Sequence, residues 1–200
     1  MSFKEENQLS KYLSPIFFET GTFLGGGTKV AIKSGFKKII TVELQKYLYD
    51  QCVNGDPTGN NEDLVNEIKN GLVEIHLGDS RDIMWKLIEN IEDRITFWLD
   101  AHIDGGNFRS STPNVPPCSL YDELNIIKNH KRKDHIILID DLRIMGDETK
   151  SGYGWGQNID IESIKEIILQ INPNYIFKYE PGYTDNDILV AMLPDTIINI

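Results

Sequence analysis

Cysteine is scarce in this chain, which holds only Cys52 and Cys118 in 200 residues. The two lie far apart and form no CxxC pair, so neither a zinc site nor a dithiol redox centre is expected. A chain of this length buries a sufficient core without a disulfide, and both thiols are expected to stay reduced, in the cytoplasm. Long apolar runs are also missing. Nothing approaches the roughly 18 consecutive apolar residues of a membrane span, and MSFKEENQLSKYL has no apolar signal core. Basic residues are few, 20 against 31 acidic ones, which gives a formal net charge of −11. That balance disfavours nucleic-acid partners and anionic membranes, because both need a basic face. Repeats and low-complexity segments are absent. At 40% hydrophobic and 26% charged, the composition is that of a folded globular chain rather than a disordered one.

Short apolar runs alternate with longer amphipathic stretches. Strands are expected at Ile16–Glu19, Lys38–Glu43, Val73–Leu77, Ile95–Asp100 and His135–Asp140, each rich in β-branched or aromatic residues. Helical patterns lie between them at Gly27–Ser34, Leu44–Val53, Asn61–Asn70, Arg81–Ile91 and Ser119–Asn129, with Ser80 as the expected N-cap of the fourth. This βαβα alternation predicts an α/β fold, a doubly wound and mostly parallel sheet. The tail departs from it. Ile161–Ile171 reads as a helix, and two further strands, Tyr175–Tyr179 and Asp187–Leu193, are joined only by EPGYTDN. That connection is too short for a crossover helix, so the last pair is expected to be antiparallel. The whole chain, 1–200, is expected to form one domain. Its long loops 101–117 and 143–158 have the size of binding loops.

The first strand runs into a glycine-rich turn, FFETGTFLGGG, and then a helix. Ligands in such sheets bind beyond the carboxyl ends of the strands, where glycines permit close backbone approach. The turn lacks the GxGxxG order of dinucleotide-binding folds. Glu19 would repel a pyrophosphate but attract a sulfonium or amino group. Thr20, Gly21, Thr22, Gly25 and Gly26 complete the candidate cofactor turn. The second strand ends in Glu43, which can accept from both hydroxyls of a ribose. The third ends in HLGDSRD, where Asp79 and Ser80 could hold an adenine amine; Asp79 suits a helix cap equally well.

Two more strand tips are acidic, Asp100 in FWLDAHIDGG and the pair Asp140–Asp141 in IILIDDLR. Carboxylates gathered on one rim repel unless a cation or proton offsets them, and hard oxygen ligands suit Mg²⁺. His102, two residues past Asp100, can serve as a base near neutral pH. Arg109 and Arg143 could meet a substrate group or a carboxylate. Tyr153 and Trp155, among glycines, could stack on a ring or anchor their loop. Trp85 and Trp98 are expected in the core, His135 at the surface, and His76 and His130 are given no role.

These motifs resemble a class I S-adenosylmethionine-dependent methyltransferase, and ETGTFLGGG is similar to the turn of the macrocin-type O-methyltransferase group. The resemblance covers nearly the whole chain. It implies seven strands with an antiparallel C-terminal strand, the methionine end of the cofactor at Glu19, Gly21 and Gly25, and the ribose at Glu43. It also implies Mg²⁺ on Asp100, Asp140 and Asp141. In the macrocin-type pattern the second Asp of Asp-x-Asp is the base; here that place is His102. The implied reaction has the metal lower the pKa of a substrate hydroxyl and His102 take its proton. The alkoxide then attacks the sulfonium methyl in line. The acceptor would be a small hydroxylated molecule, a sugar or glycan precursor by family resemblance. Such folds often dimerise, so a homodimer stays open. Two alternatives also stay open, a nicotinamide-dependent Rossmann-like oxidoreductase and a cofactor-binding module without catalysis.

Overall fold

Near-continuous apolar runs become inner strands buried on both faces, while the edge strands Val73–Leu77 and Ile176–Glu180 stay partly exposed. A computed structural model describes residues 7–55, 61–102, 119–145 and 159–196. Seven strands form one sheet: β1 Ile16–Thr20, β2 Lys38–Glu43, β3 Val73–Leu77, β4 Ile95–Leu99, β5 Ile136–Ile139, β6 Ile176–Glu180 and β7 Ile188–Met192. Their order is β3-β2-β1-β4-β5-β7-β6. The first five strands pair in parallel, while β7 lies antiparallel between β5 and β6. The expected doubly wound sheet with its antiparallel closing strand is therefore present. Long loop segments 103–118 and 146–158 lie outside the described residues, and with them Arg109, Cys118, Tyr153 and Trp155.

Alternate residues feed two cores, as a strand period of two requires. Phe18, Ile40, Phe97, Ile137 and Leu189 face helices α4 (Ser80–Ile88), α5 (Leu120–Asn129) and α6 (Ile161–Ile171). Phe17, Ile39, Trp98, Leu138 and Val190 face α1 (Gly26–Ser34), α2 (Lys46–Asn54), α3 (Glu62–Lys69) and the short 3-10 turn Leu9–Tyr12. The carboxyl ends of β1 to β5 and the β6–β7 turn share one rim. The strand order reverses between β1 and β4, so the ligand crevice of such a fold opens there. Among the described residues no helix is long and apolar enough to cross a membrane.

Three local expectations are corrected. Trp98 is fully buried, but Trp85 is 38% exposed on the outer side of α4. The N-cap of α4 is Asp79, not Ser80, because the Asp79 carboxylate accepts from the Arg81 N–H. His135 is fully buried rather than at the surface. The Ile95 N–H donates to its Nδ1 at 3.1 Å, so its proton sits on Nε2 and is donated to His130 Nδ1 at 2.9 Å. His130 Nε2 then donates to the Ile88 carbonyl at 3.1 Å.

This relay is complete only with both rings neutral. Burial, with His130 beside it, holds His135 down at about 3. In the unfolded chain the same imidazole takes its proton near pH 6.5. Its contribution is therefore intact above pH 6.5 and is lost as pH falls toward 3. In His135→Asn the amide oxygen can still accept from Ile95, so the variant keeps the acceptor and loses the titration. Relative to this variant, the wild type is expected to lose about 3 kcal/mol between pH 7 and pH 4 in denaturant unfolding. Parallel pH curves for the two proteins would contradict the relay.

Candidate functional site

The glycine turn is built by backbone that only glycine adopts easily. Gly21 has φ +83° and Gly25 +75°. The N–H groups of Gly21 and Thr22 both donate to the Val42 carbonyl, at 3.0 and 3.2 Å, which folds the turn back over β2. Behind it lies Glu19, 1% exposed. One of its oxygens accepts from the Thr28 hydroxyl at 2.5 Å and the Thr41 hydroxyl at 2.7 Å. Thr41 has a single proton and gives it to Glu19, so Thr22 donates to Thr41 across 2.6 Å. Burial pushes the Glu19 carboxyl up to about 7, against the pull of the two threonines and with a push from Asp100. The carboxylate thus ties turn, β2 and α1 together from beneath.

Glu43 closes the other side of the turn. It accepts from the Phe23 N–H and the Gln45 N–H at 2.7 Å each, one on each oxygen. A carboxylate offers about four lone-pair sites, so roughly two remain for a pair of hydroxyls. Burial raises its pKa, and the backbone donors partly offset that rise. Asp79 caps α4 and pairs with Arg81 at 2.9 and 2.5 Å, which holds its carboxyl below the ordinary range. The capping alternative for Asp79 is therefore what the structure displays. Ser80 points inward and donates to Glu123 at 2.5 Å.

Glu123 was not legible as a site residue. Fully buried, it accepts from the hydroxyls of Thr20 (3.2 Å), Ser80 (2.5 Å) and Ser119 (2.7 Å). Thr20 in turn accepts from the Asp100 N–H at 3.3 Å. One carboxylate thus links the tips of β1 and β4 to the starts of α4 and α5. Burial raises it to about 7 despite the three hydroxyls. The sequence signal was a charged residue on the apolar stripe of Leu120, Leu124 and Ile127.

On the β4–β5 side, His102 Nε2 stands 2.7 Å from Asp141 and 3.4 Å from Asp100. Ligand atoms of these three residues lie within 4.8 Å of one another. Burial alone would lower the His102 pKa, but hydrogen bonds and charge from Asp100 and Asp141 outweigh it and raise it to about 10. Asp141 also accepts from the Arg143 guanidinium. Burial works against its ionisation, yet His102 and Arg143 hold its carboxyl down at about 2. Asp140 groups with Asp141 and Asp187, not with Asp100, and one of its oxygens accepts from the Asp141 N–H at 2.8 Å. The expected trio of Asp100, Asp140 and Asp141 therefore appears as two overlapping groups that share Asp141. Asp187, at the start of β7, was missed. Its signal lies only in a contact spanning more than forty residues of sequence.

The sequence reading also missed the apolar side chains that the rim leaves in water. Phe23, Leu24, Leu44, Tyr47 and Leu77 are 39–48% exposed. They flank Glu43 and the glycine turn at the ends of β1, β2 and β3.

Many solved structures share this fold, among them three methyltransferases. PaMTH1, a methyltransferase of Podospora anserina bound to S-adenosylhomocysteine, aligns with a TM-score of 0.57 at 12% identity, covering 95% of this chain and 76% of that one. The Bacillus cereus O-methyltransferase in complex with S-adenosylhomocysteine gives 0.53 at 16% identity, with 94% and 78% covered. TomG, the Streptomyces achromogenes O-methyltransferase involved in tomaymycin synthesis, solved with S-adenosylmethionine, gives 0.50 at 13% identity, with 94% and 77% covered. No family model and no curated protein matches the sequence. The chain has the Rossmann-like fold of the class I methyltransferases.

Proposed function

We propose that this chain is an S-adenosylmethionine-dependent O-methyltransferase, assisted by a divalent cation, whose acceptor is a hydroxyl of a small molecule such as a sugar or glycan precursor. One observation carries the reading. At the point where the strand order reverses, a glycine turn and Glu43 lie on the β2 side, while Asp100, His102 and Asp141 lie on the β4–β5 side. A nucleoside-bearing cofactor fits the first half and a proton-transfer site the second. Glu43 would accept from the ribose hydroxyls. Leu44, Tyr47 and Leu77 would cover the adenine faces, which accounts for apolar side chains left in water at this rim. Gly21 would admit the methionine end, with Glu19 stiffening the turn rather than reacting.

The donor set suits a hard cation. Asp100 and Asp141 offer oxygens to a common point, and the position between them already attracts positive charge strongly enough to hold a proton on His102. Bound there, Mg²⁺ would lower the pKa of a substrate hydroxyl and supply the charge that the imidazolium now supplies. His102, relieved of that task, would hold the hydroxyl proton at Nε2. That nitrogen now donates to Asp141 across 2.7 Å, so it would become an acceptor only after giving its own proton to solvent as the ion takes Asp141. Holding hydroxyl and methyl group in line can contribute roughly 7–11 kcal/mol. The soft-sulfur chemistry of Cys52 has no part, since burial pushes its thiol up to about 12 and removes the thiolate.

Calorimetry with S-adenosylhomocysteine and with NAD tests the reading. One equivalent of S-adenosylhomocysteine should bind and NAD should not. Glu43→Ala should weaken that binding about 10- to 100-fold, the worth of charge-assisted hydrogen bonds to a ribose. Binding of NAD instead would favour a nicotinamide enzyme.

A further inference from the structure

The β6–β7 turn reaches the same rim and is locked to the segment after β5 by Asp187, whose side chain is fully buried. One Asp187 oxygen accepts from the Arg143 N–H at 3.1 Å. The other accepts from the Tyr183 N–H at 2.9 Å, the Thr184 N–H at 3.3 Å and the Arg143 guanidinium at 2.6 Å. The Asp187 carbonyl accepts from the Leu142 N–H at 2.9 Å. A carboxylate with four donors is a structural anchor. It fixes turn and segment as one body.

That body holds an aromatic side chain that the core does not cover. Tyr183 is 77% exposed, more than any other large apolar residue described. The Arg143 guanidinium stacks over its ring at 4.8 Å from the centroid. The same guanidinium donates to Asp141, whose far oxygen lies 2.7 Å from His102 Nε2. The Arg143 guanidinium and the Asp141 carboxylate therefore link the tyrosine ring to the proposed proton acceptor. Arg143 lies between two carboxylates, Asp141 and Asp187, so it acts as a neutralised plate and not as a hook for an anion. An exposed contact of this kind is weak and leaves most of the ring in water.

We propose that Tyr183 is a specificity-determining residue, the stacking platform for the acceptor. The acceptor then presents a flat or CH-lined ring face beside its reacting hydroxyl and needs no negative charge. This inference rests on the methyltransferase reading above. Pyranosides and hydroxylated aromatics both carry such a face, and both stack on tyrosine.

The test begins with calorimetry of S-adenosylhomocysteine on the wild type, Tyr183→Ala and Tyr183→Phe, where equal binding is expected. Saturation-transfer NMR on the loaded proteins with Mg²⁺ then uses three probes: methyl α-D-glucopyranoside, catechol and the open-chain polyol meso-erythritol. A ring probe should bind the wild type and Tyr183→Phe, erythritol should not, and Tyr183→Ala should bind about tenfold more weakly. Which ring probe binds separates the sugar from the aromatic source. Unchanged binding in Tyr183→Ala, erythritol binding as well as the ring probes, or no ring probe binding would overturn the platform with the cofactor reading intact. Failure of the wild type to bind S-adenosylhomocysteine overturns the methyltransferase reading and the platform with it.

Discussion

Gly21→Ala is expected to cost about 3 kcal/mol of stability and to weaken S-adenosylhomocysteine binding at least about a hundredfold. A non-glycine residue in the left-handed region costs roughly 1–2 kcal/mol by itself. At Gly21, with φ +83°, the added Cβ would also sit 2.8 Å from the Asp100 carbonyl oxygen and 3.1 Å from Ala101 Cα. Both neighbours are backbone, and neither can rotate away. The turn or the tip of β4 must shift, and these are the two walls between which cofactor and acceptor would meet. Gly35→Ala is the control. Its φ is +93° but nothing lies within 4 Å of the new Cβ, so it should cost only the conformational strain and leave binding intact. Denaturant unfolding and calorimetry on both variants check this. Equal affinity in Gly21→Ala and Gly35→Ala would move the ligand away from the turn.

Asp141→Asn should weaken Mn²⁺ binding, a stand-in for Mg²⁺, at least about a hundredfold with the fold unchanged. The substitution isolates charge. Asp141 has φ +60°, a conformation asparagine tolerates, so the backbone need not move. The change removes a negative charge that faces His102 and takes one carboxylate from the Arg143 guanidinium. Losing that partner should also lower the His102 pKa from its raised value of about 10. Paramagnetic resonance of Mn²⁺ reads the first effect and an NMR titration of the imidazole the second. Affinity matching the wild type would remove Asp141 from the cation site.

The strands were readable because residues such as Phe17, Phe18, Phe97 and Trp98 are buried on both faces of a parallel sheet, which leaves uninterrupted apolar runs. The closing hairpin was readable from one short connection. Asp100, His102 and Asp141 were readable because strand tips on one rim converge whatever the loops do. The neighbours Asp140 and Asp141 were not separable. The positive φ of Asp141 sends its carboxylate toward His102 and leaves Asp140 to accept from the following N–H. Glu123 and Asp187 were missed for a different reason. Their meaning lies in partners far along the chain, Thr20 and Ser80 for one and Arg143 for the other. His135 was misjudged because no local pattern shows that Ile95 and His130 will satisfy both ring nitrogens.

The proposed methyltransferase would hold a sulfonium cofactor on the β1–β2 side of the rim and a cation on the β4–β5 side. A crystal soaked with S-adenosylhomocysteine and Mg²⁺ tests both halves at once. The account predicts ribose density against Glu43, the amino-acid end beside Gly21, and an octahedral ion on Asp100 and Asp141. Density for neither, or a ligand bound away from these strand tips, would contradict it.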